Sequence, residues 1–164
     1  MGVAERFYEA FALGDFHTMG LLYAPHARFS DPVFRNLDCA QVRAMWQMLL
    51  TRSREFTLSY NIRQADSERA QVIWIAEYIF TGTGRPVSNR VVTDMRFGAN
   101  RIVQQKDHFS FWRWSRQALG LQGTLLGWSP MLQSRVRGEA MASLGRFMAR
   151  EQQRSGTPQR ADYR

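Results

Sequence analysis

Apolar positions follow two different periods along this chain, and the change between them falls near residue 54. Before it, Val3, Phe7, Tyr8, Phe11 and Ala12 recur at helical spacing. Gly14-Asp15 ends that helix and caps the next, Phe16 to Tyr23, which stops before Pro25. Ala27 to Ser30 reads as a short strand running into the turn Asp31-Pro32. Asp38, with Gln41 three residues on, reads as a helix cap ahead of Val42, Met45, Trp46, Leu49 and Leu50. After residue 54 the period falls to two. Strands are predicted near 55–64, 70–81, 87–97 and 101–112, divided by Asp66-Ser67, Gly82-Thr83-Gly84 and Gly98-Ala99-Asn100. Four consecutive strands with short turns predict an antiparallel meander. Helices first and strands afterwards predict an α+β domain over residues 1–112, with a curved sheet wrapping the helices.

Beyond Trp114 the pattern changes again. Leu119 to Leu132 is apolar and interrupted by Gly120, Gly123 and Gly127, and Pro130 opens a helix through Arg150. Its stripe is Met131, Leu132, Val136, Ala140, Met141, Leu144, Phe147 and Met148. Residues 113–153 thus read as a C-terminal helical extension, packed on the domain or on a second subunit. Residues 154–164 read as a disordered tail.

With 164 residues, 45% of them hydrophobic and 13% aromatic, the chain can bury one sizeable core. Charge interrupts every apolar stretch well short of the roughly 20 residues a membrane span needs. Glu5, Arg6 and Glu9 stand where a secretory signal would be apolar, so a cytoplasmic location is expected. Cys39 is the only cysteine, which excludes an internal disulfide and a thiolate metal cluster. Residues 113–164 carry nine basic against three acidic side chains, most of the net charge of +8. No nucleic-acid-binding motif accompanies that charge, so nucleic acid is not the expected partner. Contact of the basic C-terminal helix with a membrane surface is the lesser alternative to packing.

Two carboxylates are candidates for chemistry. Asp31 ends an apolar strand, where an acid or base at the edge of a pocket would sit, and it can equally start the turn before Pro32 by bonding its own backbone. Alternation on the last strand puts Val103, Gln105, Asp107, Phe109 and Phe111 on one face, which turns Asp107 toward the same interior as Asp31. On the strand before it, Val91, Thr93, Met95 and Phe97 share the inner face, while Asp94 and Arg96 look outward. Phe11, Trp46, Trp74, Tyr78, Phe80 and Phe109 complete the interior. A carboxylate in apolar surroundings holds its proton more tightly, which suits it to proton transfer near neutral pH. The alternative for Asp107 is a buried ion pair with an Arg. His17, His26 and His108 are too scattered for a metal site, and no ligand spacing appears among the acidic residues.

The run from Arg6 through Gly14-Asp15 to Asp31-Pro32-Val33, with the ending Gln105-Lys106-Asp107-His108-Phe109, resembles the ketosteroid isomerase and SnoaL-like branch of the nuclear transport factor two-like superfamily. The resemblance covers residues 4–112. It implies a cone-shaped α+β barrel with an apolar pocket, and acid/base chemistry without cofactor or metal on a carbonyl or epoxide compound. It also implies a homodimer formed through the outer sheet face, here Ile73, Ile75 and Ile79 with Glu77. By the same resemblance Asp31 is the base and Asp107 a second acid or base. Phe7 and Thr93 stand at the positions of the family's two oxyanion donors. Phe7 cannot donate a hydrogen bond, and Tyr8 lies about 100° further around the helix. Asp94 and Arg96 stand comparison with the Asp-Arg couple of limonene epoxide hydrolases, in a different order. A noncatalytic ligand-binding or scaffold domain of the same fold is the alternative.

Overall fold

The structure, a computed structural model, describes residues 1–156. Two short helices open it, α1 (Val3–Ala12) and α2 (Phe16–Leu21). In α1 the 3.6-residue spacing buries Val3, Ala4, Phe7, Tyr8, Ala10 and Phe11. Gly14 then takes a left-handed φ of +69°, a conformation that glycine adopts without the Cβ clash other residues meet, and the chain reverses. Asp15 caps α2 by accepting from the Thr18 amide at 2.9 Å.

Strand β1 (Tyr23–Ser30) starts earlier than the expected 27–30 and takes in Pro25. Proline, with no N–H to give, is tolerated there because β1 is an edge strand and its pairing slips between Tyr23 and Arg28. Helix α3 (Cys39–Arg52) begins at the predicted reciprocal cap: the Gln41 amide reaches Asp38 Oδ1 at 2.8 Å, and the Asp38 amide reaches Gln41 Oε1 at 3.0 Å. Strands β2 (Arg54–Ala65), β3 (Arg69–Phe80), β4 (Arg85–Gly98) and β5 (Arg101–His108) follow as the predicted antiparallel meander. β1 joins its far side, parallel to β5, giving the order β1-β5-β4-β3-β2. The α+β architecture is the expected one. Its curved sheet stays open, with β1 and β2 as its edges.

Two details of β5 differ from simple alternation. Phe97 pairs with Ile102 and Arg96 with Gln104, so Val103 is an extra, unpaired residue. Ile102 therefore takes the inner position expected for Val103, and Gln105 and Asp107 follow on the same side, buried. The strand ends at His108. Ser110 then caps α4 (Phe111–Leu119), so Phe109 and Phe111 leave the sheet face assigned to them.

Helices α5 (Leu121–Leu126) and α6 (Pro130–Gly156) complete the described chain. α5 is pressed onto α4 so closely that a Cβ on Gly123 would lie 1.8 Å from the Ser115 carbonyl oxygen. The stripe of α6 packs inward: Leu144 is buried in the main core, and Ala140, Met141, Phe147 and Met148 pack against it. The amphipathic helix is thus engaged with its own subunit along most of its length. Residues 154–156 end α6 instead of opening a disordered tail, and 157–164 lie outside the described residues.

Candidate active site

Between α3, the sheet, α4 and α6 lies a cavity of about 500 Å³. Phe11, Trp46, Trp74, Tyr78 and Phe109 line it, and both Asp31 and Asp107 open onto it. The aromatics leave this space open because they pack on one another: the Phe11 ring lies 4.9 Å from Trp46 and 5.2 Å from Trp74. Phe7, Thr93, Met95 and Gln105, expected at the wall, do not line it. Each is at most 1% exposed, in the layer behind. Phe7 is screened by the Trp46 and Phe11 rings at 6.0 and 6.2 Å.

That rear layer holds Asp107 in place. Thr93 Oγ1 donates to Asp107 Oδ1 at 2.7 Å, and Gln105 Nε2 donates to the same oxygen at 3.1 Å. Each donor is itself oriented. Trp74 Nε1 donates to Thr93 Oγ1 at 2.7 Å. On the other side, Trp46 Nε1 donates to the Tyr23 hydroxyl at 2.9 Å, and that hydroxyl donates to Gln105 Oε1 at 2.6 Å. Two hydrogen-bonded relays, each starting at an indole on the cavity wall, converge on one carboxylate oxygen. Asp107 Oδ2 takes no hydrogen bond from a described residue. No Arg pairs with it among the described residues, so the ion-pair alternative for Asp107 does not hold. Burial pushes its carboxyl up to about 7; the Gln105 and Thr93 hydrogen bonds hold it back, and the charge of Asp31 adds to the rise.

Asp31 is held differently. Its Oδ1 accepts from the amides of Val33 at 2.6 Å and Phe34 at 2.5 Å, so it does begin the turn before Pro32. It also lines the cavity. Burial raises it to about 6, opposed by the Phe34 and Val33 amides and by the positive charge of Arg137. Arg137, on α6, donates from Nε to the Pro32 carbonyl oxygen at 2.9 Å. The charge of an ionised Asp31 in turn raises Asp107.

Tyr8 is fully buried beside this cluster, on the inner side of α1 along with Phe7. Its hydroxyl has no hydrogen-bond partner among the described residues. Burial, with the charge of Asp107, pushes the phenol well above its ordinary range.

The outer sheet face holds the other candidates. Asp94 is exposed, and its partners are His108 Nε2 at 3.3 Å and Gln71 Nε2 at 3.0 Å, not Arg96. Neither Asp94 nor Arg96 reaches the cavity. Among the described residues, no three His, Cys, Asp or Glu side chains stand close enough together to hold a metal ion.

The sequence reading missed the part of the cavity that the C-terminal extension supplies. Trp114, Leu119, Val136, Ala140 and Ser143 all line it. The Trp114 indole also donates to the Tyr78 hydroxyl at 3.0 Å, which leaves the phenolic proton of Tyr78 free to point elsewhere. The stripe of α6 announced that the helix packs on something, but period alone does not say against what.

Comparisons with known proteins agree with this architecture. IdmH, a proposed polyketide cyclase of Streptomyces antibioticus, superposes with a TM-score of 0.59 at 23% identity, over 73% of this chain and 96% of its own. An epoxide hydrolase of the LEH-like type from M. tuberculosis gives a TM-score of 0.56 at 16% identity, over 76% of this chain and 90% of its own. A hypothetical protein with a ketosteroid isomerase-like fold from Catenulispora acidiphila, solved in complex with trimethylamine, gives 0.60 at 14% identity, over 78% and 97%. These likenesses are likenesses of fold. No curated protein matches the sequence. The family model for the SnoaL-like domain matches residues 4–105, well over half of the chain, and the chain belongs to that family.

Proposed function

We propose that the protein is a cofactor-independent acid/base enzyme acting on an apolar carbonyl or epoxide compound held in the cavity. The observation that carries this reading is the pair of carboxyls on one apolar cavity, each with Oδ1 tethered and Oδ2 without a described partner, raised to about 6 and about 7. Environments that separate two titratable groups assign them opposite roles. Near neutral pH Asp31 is the ionised member and Asp107 the one that retains a proton.

With an enolisable ketone, Asp31 removes a proton from the carbon beside the carbonyl while Asp107 gives its proton to the carbonyl oxygen, leaving a neutral enol. Return of the two protons, one to a different carbon, isomerises the compound. With an epoxide, Asp31 takes a proton from an attacking water while Asp107 protonates the ring oxygen as its C–O bond breaks. The two reactions need the same two groups.

The second reading is a noncatalytic ligand-binding domain. It draws on the lack of an obvious oxyanion site: Phe7 offers no donor, and the Thr93 hydroxyl is engaged with Asp107. The test is exchange of the α-protons of β-tetralone with solvent deuterium, followed by NMR, and hydrolysis of styrene oxide. Acceleration that falls in both Asp31→Asn and Asp107→Asn supports the enzyme. Equal rates in wild type and both variants overturn the assignment.

A further inference from the structure

We propose that the corner formed by α4, α5 and the start of α6 is a membrane-contact surface for anionic lipid. Six large apolar side chains are exposed within twenty residues of chain. Leu121 is 81% exposed, Met131 74%, Trp128 70% and Leu125 66%, with Leu126 and Trp112 beside them in the chain. An exposed apolar group of this size on an ordinary soluble surface marks a contact site. The chain's own elements leave it uncovered: α4 buries its opposite side, Phe111, Trp114 and Ala118, and the stripe of α6 is engaged with the core further along.

Charge identifies the occupant. Between Asp107 and Glu139 there is no acidic residue, while the exposed Arg113, Arg116 and Arg135 fall inside that interval; Arg137, also there, is engaged with Pro32. A second copy meeting this surface about a twofold axis would set arginine against arginine, on a chain already at +8. An anionic surface meets the same arginines with opposite charge. Nucleic acid also supplies negative charge, but apart from single wedges between base steps it has no apolar layer to take six such side chains. A lipid headgroup layer takes both parts: aromatic and aliphatic groups into its apolar edge, guanidinium groups onto its phosphates.

Details of the corner fit that surface. The Trp128 indole N–H is already bonded to the Leu125 carbonyl oxygen at 3.0 Å, so entry into lipid leaves no donor unpaired. Arg116 lies over the Trp112 ring at 4.7 Å, a pairing suited to the headgroup level. The close seat of Gly123 and Gly127 on Ser115 fixes α5 against α4, so the two helices hold their exposed side chains as one rigid pair. No helix among the described residues is long and apolar enough to cross a membrane, and the contact proposed is one at the interface.

The experiment is cosedimentation of the full chain with vesicles of dioleoylphosphatidylglycerol and dioleoylphosphatidylcholine in equal parts, beside vesicles of the choline lipid alone. Binding is expected on the mixed vesicles, weak on the neutral ones, and reduced as salt rises. Trp128→Ser with Leu125→Ser should lower the affinity about tenfold or more. Arg113→Gln with Arg116→Gln should lower it as well and flatten the salt dependence. These side chains are exposed, so thermal melting should match wild type; Leu121→Ser alone supplies a second reading should the double variant melt early. Undiminished binding of the Trp128/Leu125 and Leu121 variants overturns the proposal, as does failure of wild type to bind the mixed vesicles. A dimer that these substitutions convert to monomer, without vesicle binding, assigns the surface to a second copy. Loss of DNA binding in the same variants, again without vesicle binding, assigns it to nucleic acid. Either result also overturns the proposal.

Discussion

Arg137 and Pro32 are joined by a hydrogen bond of 2.9 Å from Nε to the main-chain oxygen, across 105 positions of sequence. The residue next to Asp31 is therefore held by a helix beyond the span of the family model, residues 4–105. The Arg137 charge also draws the Asp31 carboxyl down. Arg137→Gln should let Asp31 rise toward Asp107, narrowing the pH range over which one is ionised and the other protonated. The acid limb of the kcat/KM profile moves to higher pH in this variant; an unmoved limb with a lowered melting temperature would mean that Arg137 is only a structural tie.

The wild-type profile itself follows from the same two groups. Activity that needs Asp31 ionised and Asp107 protonated rises as pH passes about 6 and falls as pH passes about 7. The expected kcat/KM is a narrow bell between these values. A plateau that continues above pH 8 would contradict the role given to Asp107.

Asp107→Asn keeps an oxygen to accept from Thr93 and Gln105 and removes the transferable proton. A loss of about a hundredfold to ten-thousandfold in rate is expected, with an unchanged circular dichroism spectrum. Wild-type turnover in this variant would end the assignment.

Thr93→Val removes a hydrogen bond that favours the ionised form of Asp107, so the alkaline limb should move to higher pH. It also strands the Trp74 indole N–H, at a cost of about 1–3 kcal/mol in stability. The limb shift distinguishes a tuning hydroxyl from a packing one.

Much of the fold was legible because its signals are local. Gly14 with Asp15, Asp38 with Gln41, and the alternation of Val91, Thr93 and Met95 each depend on neighbours within a few residues. The two carboxylates were legible for the same reason: a turn before proline and an inner-face position on a strand. What period could not give was depth. Thr93, Gln105 and Phe7 point inward as expected, but they lie behind other side chains, and only the packing of Trp46, Trp74 and Phe11 decides which layer meets the cavity. Tyr8 was set aside on helical angle, yet the inner side of α1 is wide enough to bury it beside Phe7. Nor could local pattern show that α6 returns over the site, since the Arg137–Pro32 contact is long-range.

Stability should vary with pH against the usual direction for carboxylates. Unfolded aspartate titrates near about 3.9, while folded Asp31 and Asp107 hold their protons to about 6 and about 7. The folded state binds more protons, so their contribution is fully present below about 3.9 and is lost as pH rises through about 7. Differential scanning calorimetry should show Asp107→Asn melting above wild type at pH 8, with the gap closing toward pH 5. A gap of the same size at both pH values would contradict the raised carboxyl.

A homodimer through the outer sheet face is expected from Ile73 and Ile75 on β3, where Ile75 is 36% exposed; Ile79, assigned to that face by alternation, also lines the cavity. Ile75→Lys should shift sedimentation toward monomer at micromolar concentration. Wild type that sediments as a monomer there would remove this expectation.

The unpaired Val103 is a place on β5 where a residue is carried without a partner on β4. Removing that one residue would leave a regular ladder, with Ile102, Gln105 and Asp107 still facing inward opposite Phe97, Met95 and Thr93. The same loss at Lys106, with no substitution at either aspartate, would set Asp107 opposite Asp94 on the outer face and separate the two carboxylates onto opposite sides of the sheet. Within this scaffold, the presence of a paired site therefore depends on where a length change falls as much as on residue identity.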